Sequence, residues 1–327
     1  MKRLCFLVIC MSIIMGCSTS TSSTKALVDY VDPNIGTAHC RWFFYTPAAI
    51  PFGMAKLAPS TDAHLGNPGG WQAVGYDFRH TSIEGFANFH EFQVGGVVFA
   101  PTVGELQTVP GELENPDGGY RSRFDKKDEV AAPGYYSVLL KDYGVKAELT
   151  AMKRVGFHRY TYPKTEQANL IFDIGNKQGE SGEVKDAEVQ YFEDGRVEGY
   201  VITSPVYVNI YQKGADVRMY FSAVLNKKPV QVGTFVKDVV NPGKHQEKGP
   251  GAGLYMTFST EEQEAVEVKV GLSYTSIENA RFNRETEAAD VTFDQAKKNA
   301  TDVWNESLSR IYAVSYTHLT LPTNSLV

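Results

Sequence analysis

From about Tyr135 to Ser276 the chain alternates apolar and polar residues in short runs broken by turn dipeptides. This period of two constrains the fold most tightly. Side chains one residue apart point to opposite sides of a strand, so each run can cover a core with one face only. Val217, Met219, Phe221, Ala223 and Leu225 form one such set, and Val266, Val268, Val270, Leu272 and Tyr274 form another. VYVNIYQ reads the same way, with Val206, Val208 and Ile210 on one face and Tyr207, Asn209 and Tyr211 on the other. Turn signals at Asp142-Tyr143-Gly144, Asp194-Gly195 and Lys213-Gly214 separate the runs. Many short strands at this spacing predict an all-β chain, a sandwich of two packed sheets. Strands do not alternate with long helices, which excludes a doubly wound α/β fold.

The period then changes. Phe293, Ala296, Ala300, Val303, Trp304, Leu308 and Ile311 follow helical spacing. This predicts one amphipathic linker helix over 288–311, opened by Asp290, whose carboxylate suits the positive end of a helix dipole. Before the alternating region, from Asp29 to Gly104, the sequence is dense in Gly, Pro and aromatics without a clear period, as in DPNIGTAHCRWFFYTPAAIPFG and GNPGGWQAVGY. Such stretches read as long ordered loops, where function concentrates.

The first residues read as a targeting segment. Lys2 and Arg3 precede the apolar run LCFLVICMSIIMG, too short for a stable membrane span. It ends in Ile14-Met15-Gly16-Cys17, which is similar to a bacterial lipobox, where the Cys becomes a lipidated N-terminus. Residues 1–16 are thus expected to be a signal peptide, Cys17 the lipidation site and 17–28 a polar tether. The expected location is the periplasmic or cell-surface face of a bacterial outer membrane, held there by the lipid anchor. Of the four Cys, Cys5 and Cys10 lie in the removable segment and Cys17 takes the lipid. Cys40 is left alone, so neither a disulfide framework nor a Cys-based zinc site can form. The net charge of -6 and the lack of any basic run exclude nucleic acid as an expected partner. At the other end, YAVSYTHLTLPTNSLV neither continues the helix nor reads as a strand, and residues 313–327 are expected to be an artefact of the gene model.

Three segments in order carry a resemblance: YVDPNIGTA from Tyr30, TPAAIPFGMAKLAPSTD from Thr46 and GYDFRHTSIEGF from Gly75. In order and spacing they resemble the N-terminal domain of glycoside hydrolase family 92. The resemblance implies a β-sandwich over 29–280, then the linker helix, then an (α/α)6 barrel that this chain does not contain. It also implies an exo-acting, inverting, calcium-dependent α-mannosidase, with α-1,2 linkages the first expectation and mannose-containing glycans the partners. Inversion requires a protonated carboxyl at the leaving oxygen and an ionised one that activates water, roughly 6.5–9.5 Å apart. The family's pattern places both carboxyls and the calcium ligands in the barrel, so no catalytic residue and no metal ligand is expected here, and this chain alone is expected to be inactive. A surface lipoprotein that binds glycans without catalysis is the alternative. HCRWFFYTP and ANFHEFQVGG depart from the Gly- and His-rich stretch and the Thr-His-Leu-Ser-Gly run of many members, which leaves the linkage open.

The substrate-binding candidates lie in these loops. Trp71 matches a family aromatic that packs on a sugar ring, or else it anchors its loop. His90 and Glu91 can bond sugar hydroxyls, although adjacent strand residues point to opposite faces, so a buried bonding or interface role competes. No His stands at position 94, which removes the HExxH zinc-protease reading. Asp77 and Arg79 can touch substrate or simply pair, with Glu84 a second partner for Arg79. Trp42, Phe43, Phe44 and Tyr45 could line the mouth of the site or plug the loop. Neither a phosphate-cradling glycine motif nor a serine nucleophile elbow is present.

Overall fold

The computed structural model describes residues 25–38, 45–62, 75–91, 94–176, 181–315 and 318–320. Two large antiparallel sheets face each other. The eight-stranded sheet runs, edge to edge, through Ala48–Ala49, Lys56–Ser60, Gly85–Glu91, Val94–Val103, Thr165–Asp173, Ala252–Thr260, Gln231–Val236 and Val239–Pro242. The nine-stranded sheet runs through Gln246–Lys248, Glu183–Tyr191, Val197–Ser204, Val217–Leu225, Glu264–Ser273, Val155–Tyr162, Val145–Ala151, Tyr135–Leu140 and Val130–Ala132. The all-β sandwich expected from the alternation is the fold.

One core fills the space between the sheets. Phe86, Phe99, Leu170, Phe172 and Phe258 from the first sheet meet Tyr136, Leu149, Tyr160, Phe221 and Leu272 from the second, all buried. A polar bridge crosses it. The neutral His158 ring bonds Asn88 Oδ1 through Nε2 at 2.9 Å, and Tyr160 Oη lies 2.8 Å from Nδ1. Burial pushes the His158 pKa down to about 3, so Nε2–H donates to Asn88 and the Tyr160 hydroxyl donates to Nδ1. The amide of Asn88 also donates to the Val97 carbonyl at 2.7 Å. A buried polar trio that is fully bonded fixes how the sheets register, since any slip would leave its atoms unpaired.

Four expectations are corrected. VYVNIYQ is not a strand: Val206–Tyr211 forms a short helix, α1. Pro205 precedes it, and the Asn209 amide bonds Ser204 Oγ and the carbonyls of Pro205 and Ala215, closing the turn on itself. A short apolar run with alternation cannot tell strand from helix by period alone. The stretch from Asp29 to Gly104 holds three long strands of the eight-stranded sheet as well as loops. Gly85–Glu91 and Val94–Val103 are buried along nearly their whole length, so they show no polar alternation to read.

The single linker helix is two helices. Ile277–Ala288, α2, lies on the strand Glu264–Ser273. Its buried face includes Asn283 and Arg284, which removes the apolar stripe that would announce it. Asn283 spends its amide on the Leu272 carbonyl at 2.8 Å. Phe293–Leu308, α3, opens at Thr292 rather than Asp290, through a capping box with Gln295. Its buried Phe293, Ala296 and Ala300 are the first part of the predicted stripe, whose last member, Ile311, lies beyond the helix and is exposed. Last, the tail does form strands: Tyr312–Ser315 pairs with His318–Thr320.

Helix α3 is fixed to the sandwich through Trp304 and Ala300. The Trp304 indole N–H donates to the Ala49 carbonyl at 2.7 Å. Gly134 lies beneath them with φ +88°, and a Cβ there would stand 2.7 Å from Ala300 Cβ. Only glycine allows the helix so close.

Candidate functional site

The candidate loops leave the sandwich from frames built by buried polar residues. The first frame closes the loop that carries Trp71. Its two stems meet where the amides of Thr61 and Asp62 both donate to the Gly75 carbonyl, the latter at 3.0 Å. Thr61 Oγ1 adds a bond to the same carbonyl at 3.1 Å, receives the Asp77 amide at 3.0 Å and lies 2.9 Å from His80 Nδ1. Gly75 sits at φ +50°, and a Cβ there would stand 2.3 Å from Ser60 Oγ. This accounts for the glycine that opens GYDFRH.

Beneath these stems lies a buried ion pair. Arg121 Nη2 donates to Glu84 Oε2 at 3.1 Å, with both side chains 1% exposed. Arg121 Nη1 bonds the Thr61 carbonyl and Ser82 Oγ, and Ser60 Oγ donates to Glu84 Oε1 at 2.7 Å. One guanidinium therefore ties together Thr61, Ser82 and Glu84, on both sides of the loop. Burying such a pair is costly unless its geometry is nearly complete; here partners meet both Nη atoms, while Nε completes no hydrogen bond among the described residues.

The second frame is aromatic. Tyr45 stacks on Tyr76 with ring centroids 3.9 Å apart, and Tyr45 Oη donates to Asn34 of the first motif at 3.1 Å. Tyr76 and Tyr136 both donate to Glu129 Oε1, at 2.8 and 2.7 Å. Lys126 donates to Glu129 Oε2 at 2.9 Å and to Tyr76 Oη at 2.8 Å, and its ammonium stands over the rings of Tyr76, Phe78 and Phe124. Burial, and then the negative charge of Glu129, hold Tyr45 and Tyr136 far above the ordinary phenol range. These hydroxyls are therefore permanent donors. The first and third sequence motifs thus meet physically at Asn34, Tyr45 and Tyr76.

His90 lies beside this frame at the end of the strand Gly85–Glu91, with no exposed surface. The Tyr45 and His90 carbonyls approach its ring, yet neither ring nitrogen completes a hydrogen bond among the described residues. Burial pushes its pKa down to about 4, so the ring is neutral, with one donor and one acceptor to offer. Buried ring nitrogens that lack a partner among the described residues are costly, which makes His90 a candidate for contact with a ligand.

Glu91, the next residue, is half-buried and pairs with Lys56 of the neighbouring strand, so its charge is already matched. Asp77 and Arg79 pair with each other in a two-pronged contact, Nε to Oδ1 at 2.9 Å and Nη2 to Oδ2 at 2.6 Å. Partial burial raises the Asp77 pKa, but the bonds from Arg79 outweigh it and hold it at about 2. Glu84, the other partner considered for Arg79, belongs to Arg121. Trp71, Cys17 and Trp42, Phe43 and Phe44 lie outside the described residues. Tyr45 is buried and belongs to the aromatic frame.

The structure therefore links His90 to Tyr45 and Tyr45 to Tyr76, pairs Asp77 with Arg79 in the segment that follows Tyr76, and ties Glu91 to a strand partner. Sequence reasoning missed Arg121, Lys126 and Glu129, and it considered Glu84 only as a partner for Arg79. Their sequence context is that of ordinary surface charges, and nothing local announces that they fold inward. Among the described residues no group of three or more His, Cys, Asp or Glu side chains converges as a metal site would require. These residues thus do not fit a calcium ion, and no chemistry is assigned through one.

The comparisons place the chain. The profile of the glycosyl hydrolase family 92 N-terminal domain matches residues 30–273, and the chain belongs to that family. The structure of the family GH92 α-mannosidase BT3965 from Bacteroides thetaiotaomicron superposes with a TM-score of 0.79 at 29% identity, over 89% of this chain and 39% of that one. The same enzyme in complex with mannoimidazole gives 0.77 at 28% identity, over 89% and 38%. The GH92 glycosyl hydrolase ccman5 gives 0.72 at 26% identity, over 89% and 38%. The chain thus spans well under half the length of these relatives. No curated protein sequence matches it.

Proposed function

We propose that this chain is the substrate-loop-bearing N-terminal part of an exo-acting α-mannosidase that inverts the anomeric centre and removes mannose from glycans. The observation that carries the reading is the likeness to BT3965, an α-mannosidase whose structure includes a complex with mannoimidazole. The geometry above supports it through the aromatic frame, whose Tyr45 approaches the His90 ring, and neither nitrogen of that ring completes a hydrogen bond among the described residues. In this reading Trp71 packs on the sugar beyond the cleaved bond and His90 bonds a hydroxyl. Asp77–Arg79 shapes the rim.

The carboxyls that protonate the leaving oxygen and activate water are assigned to the remaining length of the enzyme, as is calcium. The chain alone is accordingly inactive. Cys17 carries the lipid that holds the protein at the outer membrane. A His90→Phe variant of the full-length enzyme tests the site. It is expected to lose kcat/KM on an aryl α-mannoside by about 10–100-fold, the worth of one or two buried hydrogen bonds to substrate. Unchanged kcat/KM in His90→Phe removes His90 from the site.

A further inference from the structure

A cleft of about 360 Å³ opens beside the end of the strand Thr165–Asp173, and its described lining includes none of the candidate residues named above. Its volume falls at the lower end of the roughly 300–1,000 Å³ typical of small-molecule sites. Asp173, Asn176, Glu183 and Lys237 supply its polar wall, and Pro110 and Phe235 part of its apolar wall. Asp173 is 3% exposed. Tyr120 donates to its Oδ2 at 2.7 Å, and Asn176 donates through backbone and side chain. Above the pKa of about 7 to which burial raises it, the group is a carboxylate with about four acceptor positions, so these three donors orient it and leave one position to spend. Lys237 stands at the turn between Val236 and Val239 with φ +54°, its ammonium without a partner among the described residues.

The lining excludes most ligand classes. An anion would face Asp173 and Glu183. A cation would face Lys237 and find too few oxygen charges for a metal site. A purely apolar molecule would strand the carboxylate and the amide. What suits one acceptor, one ammonium donor, an amide and a proline-lined wall is a neutral polyol with an apolar face, which describes a pyranose ring. From this we infer that the cleft at Asp173 binds one hexopyranose unit of a glycan, with a ring hydroxyl donating to the carboxylate and another accepting from Lys237. The inference rests on the glycan-directed reading above, since it deepens what kind of surface this domain offers its substrate.

The test uses the whole 327-residue chain and follows amide chemical shifts by NMR with methyl α-mannoside, methyl α-galactoside, N-acetylglucosamine, and calcium chloride as separate probes. At least one sugar is expected to bind in the millimolar range and to shift amides around Asp173 and Lys237. Asp173→Asn is expected to weaken it about tenfold or more, and Lys237→Gln about threefold. Lys237 is exposed, so its variant stays informative even where Asp173→Asn perturbs folding. Binding of the galactoside alone upholds the cleft and counts against the mannosidase reading. Sugar shifts that neither variant weakens, a response to calcium alone, or no response to any sugar overturns the inference, even where the full-length enzyme hydrolyses mannosides.

Discussion

Arg121→Met is the most informative single change to the loop frame. The variant keeps the side-chain length and removes the charge, so Glu84 is left as a buried carboxylate that has lost its ion-pair partner. Removing one partner of a buried pair costs about 3–5 kcal/mol, because the other charge stays desolvated. For a β domain of this size each kcal/mol lowers the melting temperature by about 2 °C, so a fall of roughly 6–10 °C is expected by calorimetry or circular dichroism. Replacing both partners removes the stranded charge. Arg121→Met with Glu84→Gln should therefore recover at least about 2 kcal/mol of the loss, a coupling measured by a double-mutant cycle. The damage should also be local. The amides of Thr61 and Asp62, which bond Gly75 across the loop stems, should lose hydrogen-exchange protection more than amides of the core strands. A cost below about 1 kcal/mol, or a double variant no more stable than the single one, would refute the claim that this pair clamps the loop.

Further outcomes follow from the same contacts. Gly75→Ala places a methyl against Ser60 Oγ at a positive φ, and is expected to cost about 1–3 kcal/mol in urea unfolding. Trp304→Phe deletes the indole bond to Ala49 and should cost about 1 kcal/mol, with α3 losing exchange protection first. Acid stability has a definite sign. His158 and His90 have folded pKa values near 3 and 4, below the unfolded 6.5, so their contribution is complete above about pH 6.5 and is lost progressively as pH falls. Asp173 is raised by burial to about 7, so its contribution is complete below about pH 4 and is lost as pH rises toward 7. The net slope between pH 4.5 and 6 should be about one proton, and Asp173→Asn should raise it toward two, read from urea midpoints across that range.

How much of this was legible in the chain depends on which physics wrote each feature. The nine-stranded sheet was readable because strands such as Val217–Leu225 and Glu264–Ser273 carry period two. The eight-stranded sheet was partly hidden, because Gly85–Glu91 is covered on both sides and its sequence alternates nothing. Helix α2 was hidden for the opposite reason: it buries Asn283 and Arg284, so its inner face does not look apolar. α3 showed its stripe and was found, although its cap at Thr292 was read two residues early. At the candidate site, the motifs singled out His90, Asp77 and Arg79 as residues to consider. The frame did not show, since Arg121 and Glu84 stand 37 residues apart and Tyr76 and Glu129 stand 53 apart. Only folding joins them, and a single sequence records no such pairing.

The account rests most heavily on the claim that these loops serve an α-mannosidase whose chemistry lies elsewhere in its chain. The direct measurement is proton NMR of an aryl α-mannoside treated, with calcium present, either by this chain alone or by a protein extended to the length of its family relatives. The account predicts no turnover from the chain alone, and release of β-mannose as the first product from the extended protein. Hydrolysis by the chain alone, α-mannose as the first product, or an extended protein that hydrolyses another glycoside but no α-mannoside would contradict it.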